Sequence, residues 1–98
     1  MAIRHVVTIR VADGGAEGFL DAFKALQELA LRDPGCEQYE LFRSVDDPDT
    51  MVMLELWSSR ELLEKHMAAE RAGNAALVDA VVALWAPGFT PTVERYET

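Results

Sequence analysis

Cysteine is nearly missing from this chain. Cys36 stands alone, so no intrachain disulfide can form and no metal site built from several thiolates is available. Basic residues are also scarce, with 9 Lys and Arg against 17 Asp and Glu and a formal charge of −8, and no segment gathers the cations on one face. Binding to a phosphate backbone needs clustered positive charge that releases counterions, which excludes nucleic acid as a partner. An anionic membrane surface is excluded on the same ground. A strongly anionic substrate would need local help from an arginine. Only two histidines are present, without the carboxylate pattern of a transition-metal site, and no metal or other cofactor is expected. The opening Met1-Ala2-Ile3-Arg4-His5 lacks the charged-then-apolar layout of a secretory signal, and the lone thiol fits a reducing cytoplasm.

What is present is a balanced globular composition, 98 residues of which 50% are hydrophobic and 27% charged, the size of one domain with one core. Residues 1–98 are read as a single α+β domain. From Ile3 to Val11 the residues alternate, with Ile3, Val7, Ile9 and Val11 opposite Arg4, Thr8 and Arg10, which predicts a strand with one buried face. After Asp13-Gly14-Gly15, the apolar residues Phe19, Phe23, Leu26 and Ala30 recur at helical spacing between Ala16 and Arg32. Asp33-Pro34-Gly35 stops that helix.

A second strand is expected at about Cys36 to Ser44. The run Asp46-Asp47-Pro48-Asp49 makes a turn; its acids lack the loop and following Glu of an EF-hand. The third strand, Thr50 to Trp57, is almost continuously apolar, as suits a central strand covered on both faces. Ser58 and Glu61 have the spacing of a capping box. The helix they open carries Leu62, Leu63, His66 and Met67 on one side, and Gly73 ends or bends it. A further helical run from Asn74 to Trp85 is apolar around most of its circumference, which predicts burial by protein. Pro87-Gly88 closes it, and Thr92 to Glu97 alternates again as a last strand.

The order β-α-β-β-α-β with right-handed crossovers is the ferredoxin-like layout, a four-stranded antiparallel sheet with helices on one face only. Its other face carries half of an apolar central strand. Leaving such a face in water costs roughly 25 cal/mol per Å², and a second copy of the chain is the simplest cover. A homodimer is expected.

The segments Asp33-Pro34-Gly35-Cys36, Tyr39-Glu40-Leu41, Asp47-Pro48 and Glu55-Leu56-Trp57-Ser58-Ser59, followed by Leu62 and His66, stand in an order and spacing that resembles the antibiotic biosynthesis monooxygenase family. The resemblance implies a dimeric α+β barrel of ferredoxin-like subunits, each with a small-molecule pocket between sheet and helices. In several members it implies oxygenation of phenols or quinols by molecular oxygen without metal or flavin. A second histidine common five residues after the first is replaced here by Arg71. The haem-degrading branch has asparagine, tryptophan and histidine where this chain has Val7, His66 and Ala76, so haem binding is not expected.

Six residues are candidates for a site. His66 sits on the apolar side of its helix with Glu70 at i+4, an arrangement that can set an imidazole near neutral pKa as a general base; the plainer reading is a packed, satisfied histidine. Trp57, at the strand-to-helix junction, offers either a stacking wall or a core anchor. Glu55 is the odd carboxylate in an apolar strand, and it must meet a partner or serve as an acid or base. Arg71 could hold a developing anion, or simply complement a helix C-terminus. Tyr39 and His5 could line a cavity or be packed with one hydrogen bond each. With His66 and Glu55 as catalytic groups and Trp57, Tyr39, His5 and Arg71 around the substrate, the chain reads as a cofactor-independent monooxygenase of a small phenolic, quinol or polyketide-like aromatic. The alternative is a dimeric module that binds a small apolar ligand without chemistry.

Overall fold

The computed structural model describes residues 1–98. Its elements run β1 (Ile3–Arg10), α1 (Ala16–Ala30), β2 (Cys36–Arg43), β3 (Thr50–Trp57), α2 (Arg60–Arg71), α3 (Ala75–Val82) and β4 (Thr92–Glu97). The strands form one antiparallel sheet in the order β2-β3-β1-β4, the ferredoxin-like arrangement expected from the pattern of elements. Alternation along β1 turns Ile3, His5, Val7 and Ile9 toward the helices. The stripe Phe19, Phe23, Leu26 and Ala30 of α1 packs onto them. No helix is long and apolar enough to cross a membrane.

The acidic run between β2 and β3 is a turn tied by its own side chains. Ser44 Oγ accepts from the amides of Asp46 and Asp47, and Thr50 Oγ1 donates to Asp47 at 2.8 Å. Gly35 closes the other connection, from α1 into β2. Its φ of +88° is the left-handed region that glycine tolerates. A Cβ at that position would stand 2.8 Å from Leu62 Cβ and 2.9 Å from Ser58 Oγ, so the loop is pressed directly against the start of α2.

Two local expectations are corrected. The N-cap of α2 is Ser59, whose hydroxyl accepts from the Leu62 amide at 3.2 Å. Ser58 is instead held in the loop, its amide donating to the Gly35 carbonyl at 2.8 Å. The apolar run after Gly73 is also shorter as a helix than expected and less buried, with only Val81 fully buried and Val82 39% exposed. Past Ala83 the backbone leaves the helix to pair with the end of β1. Ala12 donates to Leu84 at 3.0 Å, Ala86 donates to Arg10 at 2.8 Å, and Val11 and Trp85 form a bridge. Those bonds satisfy backbone groups that a longer helix would have paired internally.

The far face of the sheet carries no helix. Val6, Val52, Leu54 and Leu56 form a half-buried apolar stripe across the two central strands, and Phe42 beside it is 47% exposed.

Candidate active site

Register places the polar side chains of the helix-facing surface in one row. Tyr39 pairs with Glu55, Glu55 with His5, and His5 with Arg95, so the row crosses all four strands. Arg95 Nε donates to His5 Nε2 at 2.9 Å. Arginine cannot accept, so His5 Nε2 carries no proton and the ring proton sits on Nδ1. That nitrogen faces Glu55 Oε2 at 3.8 Å, and the other Glu55 oxygen accepts from Trp57 Nε1 at 3.0 Å. Glu55 and His5 are each 6% exposed. The carboxylate that interrupts β3 therefore has a donor on its own strand and an imidazole on the next.

His66, on α2, lies over this row. Its ring centroid is 4.5 Å from that of Trp57 and 5.7 Å from that of Tyr39, which meets it edge-on. Nδ1 is 2.8 Å from Asp33 Oδ2, in the loop before β2. Nε2 faces Glu70 at 3.4 Å, but it is buried and makes no well-aligned hydrogen bond. Burial works against a charge on this ring, yet the carboxylates of Glu70, Asp33 and Glu55 outweigh it and raise the His66 pKa above its ordinary value. Burial, reinforced by Glu55 and Glu70, pushes the Tyr39 phenol far up, so it stays protonated. Burial and then the Glu55 and Asp33 carboxylates push the Cys36 thiol up to about 11, leaving it unreactive at neutral pH.

A cavity of about 130 Å³ opens between sheet and helices, walled by apolar side chains such as Ile9, Met53, Phe23 and Val78. Glu70 is its one charged lining residue, and Phe23, Tyr39 and Trp85 are its aromatic ones. His66 does not line it. The ring abuts a separate outer pocket of about 70 Å³ with Asp33, Leu62 and Lys65. Asp33, His66 and Glu70 thus form a line from the outer surface to the cavity wall, with the imidazole in the middle. A shallower groove of about 360 Å³ beside α1, lined by Glu17, Asp21 and Lys24 among others, holds none of the candidate residues.

Of the residues singled out in the sequence, His66, Trp57, Glu55, Tyr39 and His5 are brought together, and Tyr39 alone of them lines the cavity. Arg71 is exposed at the end of α2 and lines no pocket. Three participants were not foreseen. Asp33 reads in the sequence only as a helix stop, and Arg95 only as one side of a strand. Trp85 reads as part of an apolar helix, although tryptophan's N–H normally finds an acceptor when buried.

The profile of the family described as antibiotic biosynthesis monooxygenase matches residues 2–76. The chain belongs to the antibiotic biosynthesis monooxygenase family. No curated protein matches the sequence. Among solved structures, a candidate antibiotic biosynthesis monooxygenase from Nitrosomonas europaea superposes with a TM-score of 0.86 at 23% identity, over 99% of this chain and 89% of that one. SnoaB, a cofactor-independent oxygenase from Streptomyces nogalater, gives 0.83 at 19% identity over 99% and 92%. A conserved protein of unknown function from Bacteroides thetaiotaomicron gives 0.82 at 28% identity over 99% and 97%. At these identities the likeness to the first two is one of fold. For a member of this monooxygenase family, the apolar cavity and the carboxylate–imidazole–carboxylate line at its wall are the features from which chemistry must be argued.

Proposed function

We propose that this chain is a cofactor-independent monooxygenase of the cytoplasm that works as a homodimer and oxidises a single-ring phenol or quinol in the cavity between sheet and helices. The observation that carries the reading is Glu70, the one carboxylate in an apolar cavity wall, backed by the buried imidazole of His66. The Glu70 carboxylate takes the proton of a bound hydroxyl, the His66 imidazole backs it from behind, and Asp33 orients the ring. SnoaB, of the same fold, is a cofactor-independent oxygenase, which supports the reaction class.

The cavity's size argues for one aromatic ring, since an engineered apolar cavity of about 150 Å³ takes benzene. A bound phenol gives its O–H proton to Glu70. The phenolate passes one electron to dioxygen, and the radical pair joins at the ring carbon to form a peroxide anion. That anion recovers the proton from Glu70. Loss of the remaining hydrogen on that carbon, with cleavage of the O–O bond, leaves a carbonyl and expels hydroxide, which leaves with that hydrogen as water. The ring loses four electrons, and dioxygen is reduced to one carbonyl oxygen and one water. Water exclusion protects the anionic intermediates, and Tyr39, a lining residue of the cavity, serves as hydrogen-bond donor to the phenolate. The apolar stripe Val6, Val52, Leu54 and Leu56 supports pairing of two copies through the open sheet face.

Oxygen uptake with single-ring quinols and with a three-ring phenol tests the reading. Uptake of one dioxygen per product is expected, faster for the single ring, and reduced about 100-fold in Glu70→Gln, as befits loss of a general base. Tight binding of the same compounds with no oxygen uptake would instead make the protein a ligand-binding module.

A further inference from the structure

The cavity between sheet and helices has a buried wall and an outer one. Ile9, Phe23 and Tyr39 line it from the core. Val82, Trp85 and Pro91, from the stretch that leads out of α3 toward β4, line it too and also reach solvent. The buried wall is close-packed and gives little, with the Phe23 and Tyr39 rings stacked on each other at 5.5 Å and an interplanar angle of 13°. On the outer wall the bulk belongs to Trp85, since Val82 and Pro91 are small. Its backbone is pinned: it bridges Val11, while Ala12 donates to the Leu84 carbonyl and Ala86 to that of Arg10. The ring therefore cannot retreat by moving the chain. Its indole nitrogen is fully buried and makes no hydrogen bond, so the side chain has only carbon to present to the cavity and acts there by its size.

We infer that Trp85 is the stop that limits the cavity to one aromatic ring, which makes it the specificity-determining residue that excludes fused two-ring phenols. The inference rests on the reading of the cavity as the binding site. The free volume is about 130 Å³, and an engineered apolar cavity of about 150 Å³ is occupied by benzene. A second fused ring must therefore take its space from a wall. Overpacking a close-packed site forces strained side chains and shifted backbone, and the pinned Trp85 is what a longer ligand meets at the outer end. Trp85→Leu removes more carbon than a second fused ring adds. It also strands no acceptor of the chain, because the indole N–H has none, so the variant should fold.

The test compares p-cresol with 2-naphthol, which share the phenol and differ by the fused ring. Affinities are measured for the native chain, Trp85→Leu and Trp85→Phe. The native chain should prefer cresol by at least about tenfold, since one surplus methylene already costs that much in a tight apolar pocket. In Trp85→Leu the preference should fall by about tenfold through a gain in naphthol affinity, with Trp85→Phe in between. Bound to the native chain, cresol should show NOEs to the indole ring protons of Trp85. Naphthol bound by the native chain as well as cresol, an unchanged preference in a folded variant, or cresol with NOEs to Phe23 or Val78 but none to Trp85 overturns the inference and leaves the cavity reading intact. Failure of both phenols to bind, or cresol bound with NOEs to no cavity residue, overturns the two together. Should neither variant fold, the native preference and the NOEs decide.

Discussion

Asp33 and His66, 33 residues apart in the chain, meet at 2.8 Å through a carboxylate oxygen and Nδ1. The contact exists because Gly35 lets the loop before β2 press against the start of α2, which carries Asp33 to the outer side of the imidazole. Glu70 occupies the inner side. One ring thus stands between two carboxylates, and its raised pKa follows from that position.

Replacing Asp33 by Asn removes one of the two charges, so the His66 pKa should drop, as read from the C2–H resonance during a pH titration. Stability follows with a definite sign. A histidine pKa raised in the folded state adds stability that is fully present below the unfolded value of about 6.5 and is lost as pH rises through the folded value. The Tm deficit of Asp33→Asn should therefore be largest in mild acid, above the titration of the carboxylate itself, and should shrink toward alkaline pH. A deficit that grows with pH would contradict the assignment.

Gly35→Ala should be among the most damaging single-methyl changes in the molecule. The left-handed backbone costs an L residue about 1–2 kcal/mol, and the added methyl meets Leu62 Cβ and Ser58 Oγ at under 3 Å, for another 1–3 kcal/mol of overpacking. Urea unfolding should show a loss of about 2–5 kcal/mol. The same substitution at Gly73, where a Cβ meets nothing within 4 Å, should be tolerated.

Much of this was legible in the chain. Strict alternation in β1 and the spacing of Phe19, Phe23, Leu26 and Ala30 are dictated by which faces must leave water, and those faces are where the structure has them. The row from Tyr39 to Arg95 was not legible, because it depends on strand register, and a shift of one residue would turn every member to the other face. Asp33 escaped for a related reason, since a helix-stop signal carries no information about which side chain waits across the loop. The run to Trp85 was misjudged in length because apolar periodicity continues while the backbone has already left the helix for β1.

Leu54 sits mid-stripe on the uncovered sheet face, paired with Val6 and Glu40. Under the proposed homodimer, Leu54→Lys places a charge in the middle of the interface, and like charges then oppose each other across the two-fold axis. Analytical ultracentrifugation should find the native chain as a dimer at micromolar concentration and the variant as a folded monomer. A native monomer would remove the dimer from the account.

The chemistry is tested most directly by running the reaction under oxygen-18 gas with a single-ring quinol and weighing the product by mass spectrometry. The account predicts a hydroxylated quinone that carries one heavy oxygen atom, with the second recovered in water. An unlabelled quinone accompanied by hydrogen peroxide would mean that the protein only moves electrons from the ring to dioxygen, and the monooxygenase reading would be wrong.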